Sequence, residues 1–147
     1  MNDSFTTTIV VPQAPEVVFD RLKDVPRWWG GQDLKGHTAR VGDEFTVTHG
    51  DAHYSKQRVS EVAANERVVW LVTDSKLNWL QKRKDEWTGT RMIFKITASG
   101  GVSRLEFTHE GLTPDKESYD RCAEGWTLVI TQWLKDFIVK GTPHFEA

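Results

Sequence analysis

The fold of this chain is decided by residues 110–143, EGLTPDKESYDRCAEGWTLVITQWLKDFIVKGTP. From Tyr119 onward apolar residues recur every three or four positions, which predicts one face of a single long helix. They are Tyr119, Cys122, Ala123, Trp126, Val129, Ile130, Trp133, Leu134, Phe137 and Ile138. Thr113 can cap this helix, Pro114 suits its first turn, and Gly141 before Pro143 ends it. A helix of about 27 residues is about 40 Å long and needs a large apolar surface to pack against.

The residues before this helix are typical of strands joined by short turns. Alternation and runs rich in Thr, Ile and Val predict strands at residues 5–11, 38–40, 44–49, 54–62, 67–73, 88–98 and 103–110. Two short helices are predicted after the first strand, one from Pro15 that ends before Pro26 and a second that ends at Trp28-Trp29. Gly30-Gly31 is predicted to form a tight hinge after it. The predicted fold class is α+β, with a curved antiparallel sheet of six or seven strands wrapped around the C-terminal helix. We expect one domain over residues 1–147.

The alternation also predicts which side of each strand faces the helix. The inward residues are Phe45, Val47, Met92, Phe94, Leu105 and Phe107. Arg91 and Lys95 are predicted on the opposite face. Because a curved sheet diverges from a straight helix, we expect a cavity between them. Gly125 beside Trp126 indicates that the backbone approaches another element there or bends around this cavity, and the first alternative predicts that Ala at Gly125 costs stability.

Composition excludes several classes of protein. The net charge is −2 and the basic residues are scattered, which argues against a nucleic-acid partner. The run Lys82-Arg83-Lys84 is followed at once by acidic residues and is predicted to be a solvent-exposed turn. The single cysteine, Cys122, excludes an intramolecular disulfide. There is no signal-peptide pattern and no apolar run of membrane-spanning length, so we expect a soluble cytoplasmic protein without a membrane span.

The polar motifs do not predict catalysis. His49-Gly50-Asp51-Ala52-His53 is interpreted as a hairpin turn, because a zinc site would require a further ligand that the spacing does not supply. Cys122 lies on the apolar stripe and is predicted to be a small buried residue rather than a reactive thiol. The chain has no nucleophile elbow, phosphate-binding loop or dinucleotide fingerprint. We therefore predict no catalytic residue, no metal and no cofactor.

The seven tryptophans are the strongest indication of a binding site. Core filling and ligand contact both remain open for Trp126 and for whichever of Trp28 and Trp29 faces inward. Trp79, in a polar loop, is a lid over the cavity, the contact of a homodimer, or an exposed patch. The predicted ligand-binding residues are Trp28, Trp29, Phe45, Val47, Trp70, Met92, Phe94, Phe107, His109, Cys122, Trp126 and Val129.

The order of several short motifs resembles a known superfamily. These motifs are IVVPQAPEVVF (9–19), WW (28–29), GDEF (42–45), EWTGTRM (86–92), THEGL (108–112) and GW (125–126). In this order they resemble the START-like (SRPBCC) superfamily, and within it the family of the activator of the heat-shock-protein-90 ATPase. The resemblance covers essentially the whole chain. It implies a helix-grip fold whose hydrophobic cavity holds lipids, sterols, polyketides or other small apolar molecules.

The resemblance leaves three functions open. The first is a non-enzymatic protein that encloses an apolar or aromatic small molecule, which the absence of an evident acid and base pair favours. The second is a polyketide cyclase or dehydratase, for which His109, His49, Tyr54 and Tyr119 are the titratable candidates. The third is a chaperone-interacting module. The namesake co-chaperone has an additional N-terminal domain that contributes to chaperone binding, and we do not expect that role here.

Overall fold

A seven-stranded antiparallel sheet forms the body of the protein, in a computed structural model that describes residues 3–29 and 33–142. The strand order is β1-β7-β6-β5-β4-β3-β2. The strands are β1 (Phe5–Val11), β2 (Leu34–Gly36), β3 (Glu44–His49), β4 (His53–Ala63), β5 (Arg67–Leu77), β6 (Arg91–Ser99) and β7 (Val102–Glu110). All neighbouring pairs are antiparallel. The predicted fold class, with a long C-terminal helix against a curved sheet, is confirmed.

One face of the sheet is apolar and buried, as the alternation predicts. The six residues predicted to face inward are each at most 1 % exposed: Phe45, Val47, Met92, Phe94, Leu105 and Phe107. The rings of Phe107 and Trp126 lie 4.6 Å apart, which places the C-terminal helix against this face. Arg91 pairs with Glu110 on the other side, and Lys95 is exposed. The predicted register of β6 is therefore confirmed, since a shift of one residue would reverse both faces.

The pairing of β4 with β5 is irregular at two points. The register shifts between Lys56 and Gln57 and again between Val59 and Glu61. Irregularities of this kind bend a strand and increase its twist, so they help the sheet curve around the helix. Ser55 and Gln57 alternate with Val59 on the inner face of β4 and are fully buried there, where an apolar residue would be the usual choice.

The edge strand differs from its prediction. The predicted strand at residues 38–40 is wrong, because β2 lies at Leu34–Gly36 and pairs with β3. Gly36 has φ +117°, and a Cβ atom there would lie 2.2 Å from the Glu44 carbonyl oxygen. Any residue with a side chain at position 36 would collide with β3, so the close pairing of the two strands requires glycine there. Residue 38 instead donates its hydroxyl to the Lys23 carbonyl, 2.7 Å away.

Two short helical segments follow β1, as predicted. Helix α1 (Pro15–Lys23) begins with a proline, carries Glu16 in its first turn and buries Val18, Phe19 and Leu22. A single 3₁₀ turn at Val25–Arg27 leads to Trp28 and Trp29. Gly30 and Gly31, predicted as a hinge, lie outside the described residues.

The C-terminal helix is shorter than predicted and begins later. It comprises α2 (Tyr119–Leu128), a π-helical segment (Val129–Leu134) and α3 (Lys135–Lys140). The predicted cap at Thr113 is wrong, because residues 113–118 form turns and the Thr113 hydroxyl bonds to the Asp115 carboxylate. The predicted end is confirmed: Gly141 has φ +76° and donates to the Phe137 carbonyl. Pro143 lies outside the described residues.

The π-helical segment explains how so long a helix keeps one face on the sheet. The buried residues Trp126, Ile130, Leu134 and Ile138 are spaced four apart. At 3.6 residues per turn each step of four drifts by about 40°, so an unbroken α-helix would rotate the last of them away from the sheet. The wider π turn absorbs this drift.

None of the helices within residues 3–29 and 33–142 combines the length and the apolar character that a membrane span requires.

Candidate functional site

A cavity of about 530 Å³ lies beside the first half of the C-terminal helix. Its other walls are formed by the turn between β3 and β4, by Trp29 shortly after the 3₁₀ turn, and by the segment that connects β5 to β6. The lining residues are Trp29, His49, Ala52, His53, Trp79, Trp87, Arg121, Cys122, Gly125, Trp126, Leu128, Val129 and Trp133. Small-molecule sites in proteins typically have volumes of about 300–1,000 Å³, so this cavity can enclose a drug-sized ligand.

The cavity has a buried floor and an exposed rim. The floor residues Trp29, Trp87, Trp126 and Val129 are each at most 7 % exposed. The rim residues are exposed: His49, Ala52, Arg121, Gly125 and Leu128. The half-buried residues His53, Trp79, Cys122 and Trp133 form the walls between them. A ligand could therefore enter from solvent and bury its apolar part against the floor.

Indole rings make up most of the floor. The ring of Trp126 lies 4.9 Å from that of Trp29 and is stacked on Trp87, with 5.9 Å between centroids and 13° between planes. Behind them Trp29 stacks on Trp70, and Trp70 stacks on Trp28. Offset stacking of this kind stabilises each ring in one orientation. The floor is therefore a rigid aromatic surface.

A buried histidine fixes the indole of Trp126. Nε1 of Trp126 donates to Nδ1 of His109 across 3.0 Å, and Nε2 of His109 lies 2.8 Å from the Thr90 hydroxyl. The Thr90 hydroxyl in turn bonds to the Trp87 carbonyl. Because Nδ1 accepts, the network assigns the proton of a neutral imidazole to Nε2. Burial lowers the pKa of His109 to about 3, so the ring is neutral at pH 7 and has a structural role.

Two further imidazoles lie at the cavity wall. Nε2 of His53 bonds to the Ser55 hydroxyl at 2.8 Å, and the His53 ring meets the Trp87 ring edge-on at 5.0 Å. Burial, reinforced by His49, lowers the pKa of His53 to about 3. Burial also lowers the pKa of His49, although Asp33 opposes the shift. Both rings are therefore neutral polar groups at pH 7. In the part of the chain that the structure describes, no cluster of three or more His, Cys, Asp or Glu could hold a metal ion.

Arg121 is the charged residue of the lining. Its guanidinium carbon lies 4.9 Å from the centroid of the Trp79 ring, a cation–π contact at the rim. Cys122, the next residue, is half-buried, and burial raises the pKa of its thiol to about 11. The thiol is therefore protonated at pH 7, a form that is a poor nucleophile. Cys122 lies on the helix stripe as expected, but it is half-buried at the cavity wall rather than fully buried.

The structure separates the predicted ligand-binding residues into two groups. Trp29, Cys122, Trp126 and Val129 line the cavity. The other eight lie in the packed interior and do not line it: Trp28, Phe45, Val47, Trp70, Met92, Phe94, Phe107 and His109. Trp28 and Trp29, adjacent in sequence, fall on different sides of this division, because the Trp28 indole donates to the Leu22 carbonyl inside the core.

Several lining residues were not predicted as ligand contacts. His49 and His53 do belong to a hairpin turn, as interpreted, but the turn folds over the cavity. Trp79, for which three roles remained open, lies in the cavity wall. Trp87 follows the Lys82-Arg83-Lys84 turn, whose predicted exposure is confirmed. The sequence signal that could have identified Trp87 was a large apolar side chain within a polar loop.

Gly125 does not make the close approach that was considered. A Cβ atom at this position would have no neighbour within 4 Å, apart from the helix's own backbone. The expected close approach is therefore wrong, and with it the reason for expecting that Ala at Gly125 costs stability. Gly125 instead lies beside the cavity, which is the second alternative.

A curved antiparallel sheet that grips a C-terminal helix beside an aromatic cavity defines a helix-grip protein. Residues 14–138 match the family model described as "Activator of Hsp90 ATPase homolog 1-like protein", and the chain belongs to this family. The resemblance found in the sequence is thereby confirmed. Among curated protein sequences, none matches the chain significantly.

Solved structures share the fold at low sequence identity. The Aha1 dimer from Colwellia psychrerythraea has a TM-score of 0.72 at 18% identity, over 94% of this chain and 97% of that one. DynU16, from the dynemicin biosynthetic locus, has a TM-score of 0.70 at 16% identity, over 97% of this chain and 49% of its own. MLL2253 from Mesorhizobium loti has a TM-score of 0.69 at 16% identity, over 90% and 96%. At these identities the similarity shows the fold alone.

Proposed function

We propose that this protein binds an aromatic or otherwise apolar small molecule in the cavity beside its C-terminal helix. The observation that carries the proposal is the lining itself, in which five of the thirteen residues are tryptophans around about 530 Å³. A core made only for stability is packed without voids larger than a water molecule, because a void forfeits contacts on every side. Five indoles around an open space of this size are better explained by a ligand that completes the packing.

The expected affinity follows from the size of the ligand. Drug-sized ligands gain about 0.3 kcal/mol per non-hydrogen atom, so a ligand of about 20 such atoms would bind with roughly 6 kcal/mol. This free energy corresponds to a Kd between about 1 µM and 1 mM. Titrations should therefore cover the micromolar range.

An enzyme of the polyketide cyclase or dehydratase kind is the second candidate. It is favoured by the imidazole of His53, which lines the cavity and forms a hydrogen bond from its Nε2 position to the Ser55 hydroxyl. A group with a pKa near 3 is a weak base at pH 7, however, and general base catalysis is most efficient when the pKa lies near the operating pH. Binding without catalysis is therefore the better-supported function.

Intrinsic fluorescence tests the proposal, because the lining tryptophans would report a ligand directly. We would titrate the protein with polycyclic aromatics, fatty acids, sterols and flavonoids, and we expect quenching or a spectral shift with at least one class. Cys122→Phe should fill part of the cavity and weaken that response at least several-fold. Val139→Phe, at an exposed position on the same helix outside the lining, is the matched control. If no compound binds at up to millimolar concentration, or if both variants bind equally, the proposal is wrong.

A further inference from the structure

The geometry of the rim points to an aromatic ligand that carries an oxyanion, such as a carboxylate or sulfonate, bound by Arg121. This inference rests on the proposed function and specifies the class of ligand. An arginine side chain remains charged throughout the accessible pH range, so the cavity always presents one positive charge to its ligand.

Arg121 has no acidic partner in the part of the chain that the structure describes. None of the ion pairs among residues 3–29 and 33–142 includes it. Its recorded contact is with the face of Trp79, where the guanidinium carbon lies 4.9 Å from the ring centroid. A guanidinium over an aromatic face keeps its N–H groups available to a further acceptor. The arginine is therefore held at the rim with its hydrogen-bonding capacity largely unused.

Asp120 and Glu124 lie beside Arg121 on the helix, but neither forms an ion pair with it in the part of the chain that the structure describes. Two further carboxylates near the start of the helix are engaged elsewhere. The thirteen lining residues include no Asp and no Glu. The carboxylate of Glu86 accepts hydrogen bonds from the backbone N–H and hydroxyl of Ser118, and that of Glu117 accepts from the backbone N–H groups of Gln81 and Lys82. These contacts hold both carboxylates at the start of the helix. The charge at the rim thus remains free to attract an anion.

The floor and the rim together specify the ligand. On the floor the indoles of Trp29 and Trp87 both pack against that of Trp126, and this surface suits the flat faces of an aromatic skeleton. A single cation at the rim suits one anionic group at the end of that skeleton that faces solvent. Because such a charge pair is partly solvated, its contribution is modest and depends on ionic strength.

Two probes with the same skeleton test this inference. 1-Anilinonaphthalene-8-sulfonate and N-phenyl-1-naphthylamine differ only in the sulfonate, and the fluorescence of both increases in an apolar site. At low ionic strength we expect the wild-type protein to bind the sulfonate about ten-fold more tightly than the neutral probe. The preference should decrease as salt is added, because salt screens a charge pair at the rim.

Three variants assign the preference to one residue. Arg121→Gln should bring the ratio of the two affinities close to one while it leaves the affinity for the neutral probe within about two-fold. Arg121→Lys should retain most of the preference, because it keeps the charge. Arg104→Gln, on the exposed face of β7, should behave as the wild type. Circular dichroism of each variant checks that the fold is intact.

The outcomes separate this inference from the proposed function. If the neutral probe binds and the wild-type protein shows no preference for the sulfonate, the cavity binds apolar molecules but the anionic class is wrong. A preference that survives Arg121→Gln overturns the role of Arg121. Failure of both probes to bind in the cavity, judged by an unchanged response in Cys122→Phe, overturns the inference together with the proposed function.

Discussion

Replacement of His109 by Asn should change how the stability of this protein depends on pH. His109 is fully buried, and its pKa falls from 6.5 to about 3 on folding. Below pH 6.5 the unfolded chain binds a proton at this residue and the folded chain does not, so acidification favours unfolding. The contribution is fully present above pH 6.5 and is lost as the pH falls toward 3.

The size of the effect follows from the linkage relation. One proton bound only by the unfolded state costs about 1.4 kcal/mol of unfolding free energy per pH unit. From pH 6.5 to pH 5 the loss due to His109 is therefore roughly 2 kcal/mol. His53, whose pKa is lowered in the same direction, adds to the slope of the wild-type protein and of the variant alike. The difference between the two slopes isolates His109.

The variant should be less stable at pH 7 and relatively more stable at pH 5. Asn keeps an acceptor for the Trp126 indole but loses the bond to Thr90, which should cost about 1–3 kcal/mol at pH 7. At pH 5 this deficit should shrink by roughly 2 kcal/mol, because Asn does not titrate.

Urea denaturation followed by tryptophan fluorescence at several pH values measures both quantities. His37→Asn, which makes the same substitution at an exposed position, is the matched control. His109→Gln, which places a donor toward Thr90, is the second variant if Asn prevents folding. Parallel pH profiles for the wild-type protein and the His109 variant would refute the reasoning, because they would mean that His109 is protonated in the folded state as readily as in the unfolded state.

Three further predictions follow from single residues. Gly125→Ala should raise the unfolding free energy by about 1 kcal/mol in denaturation experiments, because the added methyl group meets no neighbour and glycine is a poor helix former; a loss would reveal a hidden close contact. Gln57→Met should stabilise by about 1–3 kcal/mol, because both amide atoms of this buried side chain lack partners; destabilisation would show that the amide is hydrogen-bonded in solution. Cys122 should resist alkylation by iodoacetamide at pH 7 and react after unfolding in urea, since burial raises its pKa to about 11; rapid labelling of the folded protein would contradict this.

Strand positions could be predicted well because the sheet has one buried face. Apolar and polar residues must alternate along a strand that separates the core from solvent. β1 and β3 were accordingly predicted with the bounds that the structure gives them. β5 was predicted to end at residue 73 but continues to Leu77. Its last inward positions include Ser75, whose hydroxyl bonds to Thr88 from the next segment. A polar residue satisfied by a distant partner leaves no apolar signal in the local sequence.

The start of the C-terminal helix shows a second limit of local signals. Thr113 and Pro114 form a plausible beginning, yet the helix starts five residues later at Tyr119. At that point the backbone N–H of Ser118 donates to the Glu86 carboxylate, 3.0 Å away. A carboxylate at a helix N-terminus also interacts favourably with the helix dipole. The cap therefore comes from a residue 32 positions earlier in the chain, which a search for local caps does not consider.

The sequence predicted a cavity between the sheet and the C-terminal helix, but the structure places it at a different position along the helix. The π-helical segment accounts for the difference. The sequence prediction assumed a straight helix that faces the middle of the sheet, so it selected central residues such as Phe94 and Met92, which instead pack solidly. The wider turn at Val129–Leu134 lets the second half of the helix follow the sheet. The first half, with Cys122 and Trp126, then faces the β3–β4 turn and the segment that contains Trp87. The sequence signal for this geometry was the spacing of four between the buried residues from Trp126 to Ile138. An unbroken α-helix cannot keep residues with this spacing on one face over three successive steps.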